Sequence, residues 1–370
     1  MTPRRRRETT TAIVVVGLVL AATAGIIAAI AANQGGSGSS AAASSTTSST
    51  LSTAELRQRD TASSWSDQAN VAFGGNDFAT TVATMVNGQA DFKVGKVSAA
   101  EFAGRLTTVA SAFVTARDKV GALPAFPLSP LVKDMYVRAA QLYVEAVRLL
   151  EQEVTVAPGP LADQTALSAT RVRELGDRVF DRGRAVVDGF LREPSSPDVE
   201  VRLPEEVPDW GPEGLAAGPP LEVTAPPPPA SVPPTRQATR PTEARSRWLH
   251  AVQTVETPSS PAMATAIAAA DASGLRNLAD RLQAAVERLG AEPDPRGQGG
   301  REEAARYRLA LLLREESARV AQLMALATNQ PVVTPLGLTA RRLLLISDGV
   351  VPSELRTPAS GLDPALLAGT

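Results

Sequence analysis

Apolar positions recur every three or four residues through residues 52–193, which is the period of α-helices with one buried face. Two capping boxes predict helix starts, at Ser52 with Glu55 and at Ser98 with Glu101. Three apolar stripes follow, running from Phe102 to Val120, from Leu131 to Leu149 and from Val172 to Phe190. Because short turns join these stripes, the segment is predicted to fold as an antiparallel helical bundle.

Residues 194–241 interrupt this pattern with repeated prolines, including the unbroken run from Pro226 to Pro229. Such a connector is expected to be extended polyproline II. It is either a spacer between domains, which we favour, or a docking segment for an aromatic-lined groove. Helical patterning then resumes over residues 242–351, which predicts a second bundle unit, and residues 352–370 form a tail expected to pack loosely or to be disordered.

The second unit resembles the first in the order of its landmarks. A tryptophan, a Gly-Ala-x-Pro sequence, a tyrosine and a Glu-x-x-Arg sequence occur in each: Trp65 and Trp248, Gly121 and Gly290, Tyr136 and Tyr307, Glu145-x-x-Arg148 and Glu316-x-x-Arg319. A diverged duplication explains this order, and chance among Ala-, Leu- and Arg-rich helices explains it nearly as well. The Glu/Arg pairs are interpreted as ordinary surface pairs three residues apart.

A continuous apolar run occupies residues 12–32, long enough for a helix to cross a bilayer. It follows a basic arm, residues 1–11, that contains Arg4, Arg5, Arg6 and Arg7, and it precedes an uncharged Ser/Thr/Gly-rich linker, residues 33–51. The positive-inside rule then predicts a single-pass membrane anchor, with a cytoplasmic N-terminus and an extracytoplasmic remainder. The alternative is a secretory signal that is cleaved after Ala29-Ile30-Ala31.

Small residues recur every fourth position along one face of this predicted anchor: Gly17, Ala21, Gly25 and Ala29. Such a face allows two transmembrane helices to approach closely. A homodimer through the anchor is therefore a hypothesis, although the abundance of alanine throughout the chain explains the pattern equally well.

Composition supports an all-α fold, because aromatic residues are only 4% of a chain that is 44% hydrophobic. The net charge of −2 argues against a nucleic-acid partner. Without cysteine, disulfides and thiolate metal sites are excluded, and the only histidine is His250, which we expect to be a partly buried structural residue. Since no nucleotide-binding, metal-binding or nucleophile motif occurs, the sequence predicts no cofactor, no metal and no enzyme.

The densest charge cluster contains Arg171, Arg173, Arg178, Arg182 and Arg184 among acidic residues. It is interpreted first as a self-neutralising helix face with pairs such as Arg173 and Asp177, and second as a surface that binds an anionic partner. Gly176 and Gly183 are expected to allow a close helix–helix approach there.

Together these features predict a membrane-anchored, extracytoplasmic, non-catalytic scaffold or protein-interaction module of the cell envelope. The alternative is a binding module for a small apolar or lipidic ligand held between the bundle helices.

Overall fold

The computed structural model describes residues 52–192 and 241–367, apart from 76, 128–129, 256, 293–297, 328–329, 353–354 and 356–359. In these ranges all regular secondary structure is helical, which confirms the all-α prediction. The helices are α1 Thr53–Ala72, α2 Asp77–Lys93, α3 Ala99–Ala122, α4 Pro130–Thr155, α5 Pro160–Arg192, α6 Pro241–Thr254, α7 Ser260–Ala269, α8 Ala272–Ala291, α9 Gln298–Leu326 and α10 Val333–Val350, with a short 3-10 turn at Pro364–Leu367.

Several predicted segments lie outside the described residues. These are the basic arm, the apolar run with its small-residue face, the Ser/Thr/Gly-rich linker and residues 194–240 of the Pro-rich connector. Among the helices that are described, none is both long enough and apolar enough to span a bilayer.

Local sequence explains where the first helix begins and ends. The side chain of Ser52 accepts a hydrogen bond from the Glu55 amide, and Glu55 accepts one from the Ser52 amide, as predicted for a capping box. The helix ends at Ala72, just before Gly74 and Gly75, whose φ angles of +89° and +57° are left-handed. Glycine adopts these angles without the cost that a side chain would impose.

The ten α-helices of the described ranges form two sets of five that repeat one arrangement. In the first set α3 packs on α4 and α4 on α5, and in the second α8 packs on α9 and α9 on α10. Equivalent residues in the last two helices of each set are separated by a constant 171 positions. The identical pairs include Tyr136 and Tyr307, Glu145 and Glu316, Arg148 and Arg319, Pro160 and Pro331, Arg171 and Arg342, and Asp177 and Asp348.

Aromatic packing repeats as well. The ring of Trp65 on α1 contacts Tyr136 edge-on at 5.7 Å between centroids, and Trp248 on α6 contacts Tyr307 in the same way at 6.1 Å. Both tryptophans are buried. The order of landmarks read from the sequence therefore corresponds to a repeated three-dimensional unit, as the duplication hypothesis expects.

One hydrophobic cluster extends through both repeats, and a second cluster, which includes Trp65 and Tyr136, lies within the first repeat. Helices α4 and α5 pack against α9 and α10, with α4 on α10 and α5 on α9, and a single cluster of buried apolar side chains extends from Val82 to Val351. Exchanging the repeats leaves these pairings unchanged, which is the contact pattern of an approximate two-fold axis. The two repeats therefore touch directly. The connector between them lies outside the described residues, so its interpretation as a spacer stays a prediction.

The glycines on α5 allow that helix to pack closely on α4, as predicted. A Cβ atom added to Gly183 would lie 3.0 Å from the Tyr136 ring, and one added to Gly176 would lie 3.4 Å from Leu142 and Tyr143. Close helix packing of this kind compensates for the roughly 1 kcal/mol by which glycine weakens a helix relative to alanine.

Candidate functional site

Charged side chains are buried where the two repeats meet. On one side of the approximate two-fold axis, Arg171 of α5 reaches across to α9, where its Nη2 lies 2.8 Å from Glu315 Oε1 and its Nε 3.3 Å from Glu316 Oε2. The two carboxylates are only 1% and 2% exposed. Burial opposes the charge on Arg171, but Glu316 and Glu315 outweigh it and raise the pKa of the guanidinium.

Arg319 completes this cluster from within the second repeat. Its Nε donates a hydrogen bond of 3.0 Å to Glu315 Oε1, and its Nη2 donates one of 3.0 Å to Gln283 Oε1 on α8. Burial raises the pKa of Glu315, while Arg319 and Arg171 hold it down. Two carboxylates therefore face two guanidinium groups, and the cluster is electrically neutral.

A second cluster occupies the equivalent position on the other side of the axis. Glu145 of α4 is paired with Arg148 on its own helix and lies 3.9 Å from Arg342 Nε on α10. Next to it, Gln152 Nε2 is 3.5 Å from the Thr339 hydroxyl. Burial raises the pKa of Glu145 to about 6, against the effects of Arg148 and Arg342.

These two clusters are related by the 171-residue spacing. Glu145 pairs with Arg342 across the junction, and its counterpart Glu316 pairs with Arg171, the counterpart of Arg342. Each repeat thus contributes one acid and one base to the other repeat, as an isologous contact requires. The expectation of ordinary surface pairs is wrong, because Glu145 and Glu316 are 4% and 2% exposed at a helix–helix junction that the sequence does not reveal.

The clusters differ in what completes them. Glu315 supplies the second partner of Arg171, whereas its counterpart in the first repeat is Val144. The C-terminal tail compensates, because Arg342 Nε donates a hydrogen bond of 2.8 Å to the Leu366 carbonyl. Arg117 of α3 donates another, of 3.2 Å, to the Leu367 carbonyl, so the tail bridges both repeats. The expectation of a loose tail is therefore wrong for residues 364–367.

The structure separates the five arginines that were grouped in the sequence as an interaction surface. Arg171 points into the junction, Arg173 pairs with Asp177 as the self-neutralising interpretation expects, and Arg182 is buried. Arg178 is half-buried, while Arg184 is 41% exposed and lies 3.7 Å from Asp188. They do not form one open basic patch, since these side chains differ in burial and three of them pair with carboxylates.

Asp177 also links α5 to α4 within the first repeat. Its Oδ1 accepts a hydrogen bond of 2.7 Å from the Tyr143 hydroxyl. In the second repeat, 171 positions on, Arg314 replaces Tyr143 and lies 3.7 Å from Asp348. The aspartate is thus retained, and an arginine takes the place of the tyrosine as its partner.

His250 lies exposed on α6, so the expectation of a partly buried residue is wrong. In this part of the chain no group of three or more His, Asp or Glu side chains is arranged to hold a metal ion. The buried carboxylates described above face arginines, and what they do chemically is hold the two repeats together.

Sequence reasoning missed Glu315 and Arg342. Arg342 was detectable, because it repeats Arg171 at the spacing that also relates Glu145 to Glu316. Glu315 has no such counterpart, and only its position on α9 opposite Arg171 identifies it.

Comparison of this chain with protein-family models, with curated proteins and with solved structures finds no match.

Proposed function

We propose that this chain is a single-pass, membrane-anchored scaffold of the cell envelope, whose helical part is held outside the cytoplasmic membrane and contacts other envelope proteins. The observation that carries the proposal is the apolar cluster that extends through both repeats, with paired charges buried at their junction. Such a body suits rigid presentation of a surface. The buried carboxylates at the junction pair with arginines of the same chain.

The sequence supports the membrane part of the proposal. Four arginines stand before the apolar run of residues 12–32, and no charged residue occurs between that run and Glu55. This asymmetry favours a cytoplasmic N-terminus. Secretion after cleavage at Ala29-Ile30-Ala31 is the competing arrangement, and it gives the same extracytoplasmic location without an anchor.

Topology can be tested by cysteine labelling, because the native chain contains no cysteine. We expect a cysteine introduced by Ser40→Cys to react with a membrane-impermeant maleimide in intact cells. A cysteine introduced by Thr2→Cys is expected to react only after the cells are permeabilised. Equal reaction of both before permeabilisation would contradict the orientation, and release of the labelled Ser40→Cys protein into the medium would indicate cleavage.

We further propose self-association through Gly17, Ala21, Gly25 and Ala29, the small-residue face of the anchor. In a reporter assay for transmembrane association, Gly25→Leu is expected to reduce the signal severalfold, because leucine separates the two backbones. Val15→Leu, off this face, is the matched control. An unchanged signal with Gly25→Leu would eliminate this dimer.

Partner contact is assigned to the proline run from Pro226 to Pro229. The repeats contact each other directly, and we therefore propose the docking alternative for this run. Cross-linking in intact cells, followed by mass spectrometry, is expected to recover a near-stoichiometric envelope protein with the native chain. Replacing these four prolines by alanine is expected to reduce that recovery at least fivefold, and recovery of self-contacts alone would contradict the scaffold role.

A further inference from the structure

A small pocket lies where the approximate two-fold axis leaves the central helices. It is bounded by the first three turns of α4, the middle of α5, the part of α9 about three turns from its start, and the end of α10. Three pairs of residues related by 171 positions line it: Met135 and Arg306, Arg138 and Leu309, Val179 and Val350. The pocket is therefore formed jointly by both repeats.

Two guanidinium groups and one carboxylate give this pocket a net positive charge. Arg138 Nε lies 3.4 Å from Asp134 Oδ1, its Nη1 donates to Gln141 Oε1 at 3.1 Å, and the buried Nε makes no hydrogen bond. Arg306 is half-buried, and no described carboxylate lies within 4.0 Å of it. One positive charge at the pocket is thus left without a counter-charge among the described residues.

The charge is not inherited from the repeat. The position equivalent to Arg138 is Leu309, and the position equivalent to Arg306 is Met135. Each repeat therefore places its arginine at a different point of the shared pocket. Gly349 makes room for one of them, since an added Cβ would lie 2.4 Å from Arg138 Nη2.

We infer that this pocket binds a carboxylate carried on a short apolar stem. Its cavity of about 20 Å³ has room for one or two oxygen-sized atoms, given that an enclosed water needs about 10–15 Å³. Guanidinium groups suit carboxylate oxygens, which fill this space, and the stem extends out of the pocket, whose lining includes the half-buried Leu131. The site is independent of the anchor and of the proline run.

Binding is tested with full-length protein and sodium hexanoate, against sodium chloride at the same ionic strength and against the uncharged hexanol. Hexanoate is expected to raise the thermal midpoint saturably and to give a calorimetric binding isotherm. Arg306→Gln is expected to weaken binding at least tenfold. Arg59→Gln, which removes an exposed arginine on α1, is expected to leave it unchanged.

Gly349→Ala provides a second test, because it displaces Arg138 without changing the charge. We expect it to weaken hexanoate binding while the helical circular dichroism signal is retained. If Gly349→Ala disrupts folding, Arg306→Gln is the variant that tests hexanoate binding, since Arg306 is not part of the buried core. Binding that persists in Arg306→Gln, or that hexanol reproduces, would overturn the inference.

The source of the carboxylate is distinguished by N-acetyl-leucine and its amide. Stronger binding of N-acetyl-leucine than of hexanoate, lost in the amide, would identify the C-terminus of a peptide as the ligand. Stronger binding of hexanoate would identify a free short-chain acid. Either order supports the site, and the absence of binding by both acids would overturn it.

Discussion

Arg171→Met is expected to lower the free energy of unfolding by about 3–5 kcal/mol, because it leaves buried carboxylates without their partner. Glu315 and Glu316 are almost fully enclosed, and Arg171 is their contact with the first repeat. Arg319 still faces Glu315 in this variant, which leaves Glu316 as the less compensated charge. Urea unfolding followed by circular dichroism measures the loss.

The matched control is Arg184→Met on the same helix. Its guanidinium is 41% exposed, and its pair with Asp188 is expected to contribute less than about 1 kcal/mol. Adding Glu316→Gln to Arg171→Met is expected to restore part of the stability, since it removes the isolated charge. A loss below about 1 kcal/mol in Arg171→Met would show that the junction does not depend on this pair.

The fluorescence of Trp65 and of Trp248 allows urea unfolding to be followed in each repeat separately. They are buried in α1 and α6, so each reports on its own set of five helices. With Trp210 replaced by phenylalanine, and one of these two retained at a time, both fluorescence transitions are expected to coincide in the native junction. A second transition appearing only in Arg171→Met would locate the loss at the junction.

Acidification is expected to stabilise the folded protein between about pH 7 and pH 4.5. Burial raises the pKa of Glu145 from 4.5 to about 6, so the folded state binds this proton more tightly than the unfolded state. The associated stability is fully present below pH 4.5 and is lost as the pH rises through 6. One pKa unit corresponds to about 1.4 kcal/mol, so Glu145 contributes a change of about 2 kcal/mol.

Other carboxyl groups contribute in the same pH window and at more acidic pH. Burial also raises the pKa values of Glu153 and Glu315, which adds to the same trend. Hydrogen bonds from Ser52 and Ser273 at helix starts lower the pKa values of Glu55 and Asp271, so these caps lose stability only at more acidic pH. The stabilisation is therefore confined to mildly acidic conditions.

Urea unfolding at several pH values between 4.5 and 7.5 tests the role of Glu145. Glu145→Gln, which keeps the shape of the side chain, is expected to reduce the pH-dependent change by about 2 kcal/mol. Glu287→Gln removes an exposed carboxylate on α8 and serves as control. An undiminished pH dependence in Glu145→Gln would assign the effect to other carboxylates.

Helices could be predicted from the sequence because their causes are local. The cap at Ser52 and the stripe from Phe102 to Val120 depend on neighbours three or four residues away, and both appear as expected. The environment of a charge depends on other helices. Glu145 and Arg148 share one helix face in any helical interpretation, but only α10 packing against α4 buries them and adds Arg342.

The same distinction between local causes and contacts with other helices applies to the candidate functional residues. The small-residue contact of Gly176 and Gly183 was predictable, because glycines in a helix have few other uses. The arginine cluster could not be resolved, since spacing along α5 does not say which side chain faces the second repeat. Arg171 and Arg184 look alike in sequence and have opposite environments.

Because each repeat carries an acid and a base at equivalent positions, the junction has the chemistry of a self-complementary dimer joined into one polypeptide. Two separate copies of the first repeat would place Glu145 of one opposite Arg171 of the other, and their association would depend on protein concentration. Covalent linkage replaces that dependence with a fixed effective concentration. The halves therefore stay assembled at any dilution, and their surfaces need not be identical, as the difference between Val144 and Glu315 illustrates.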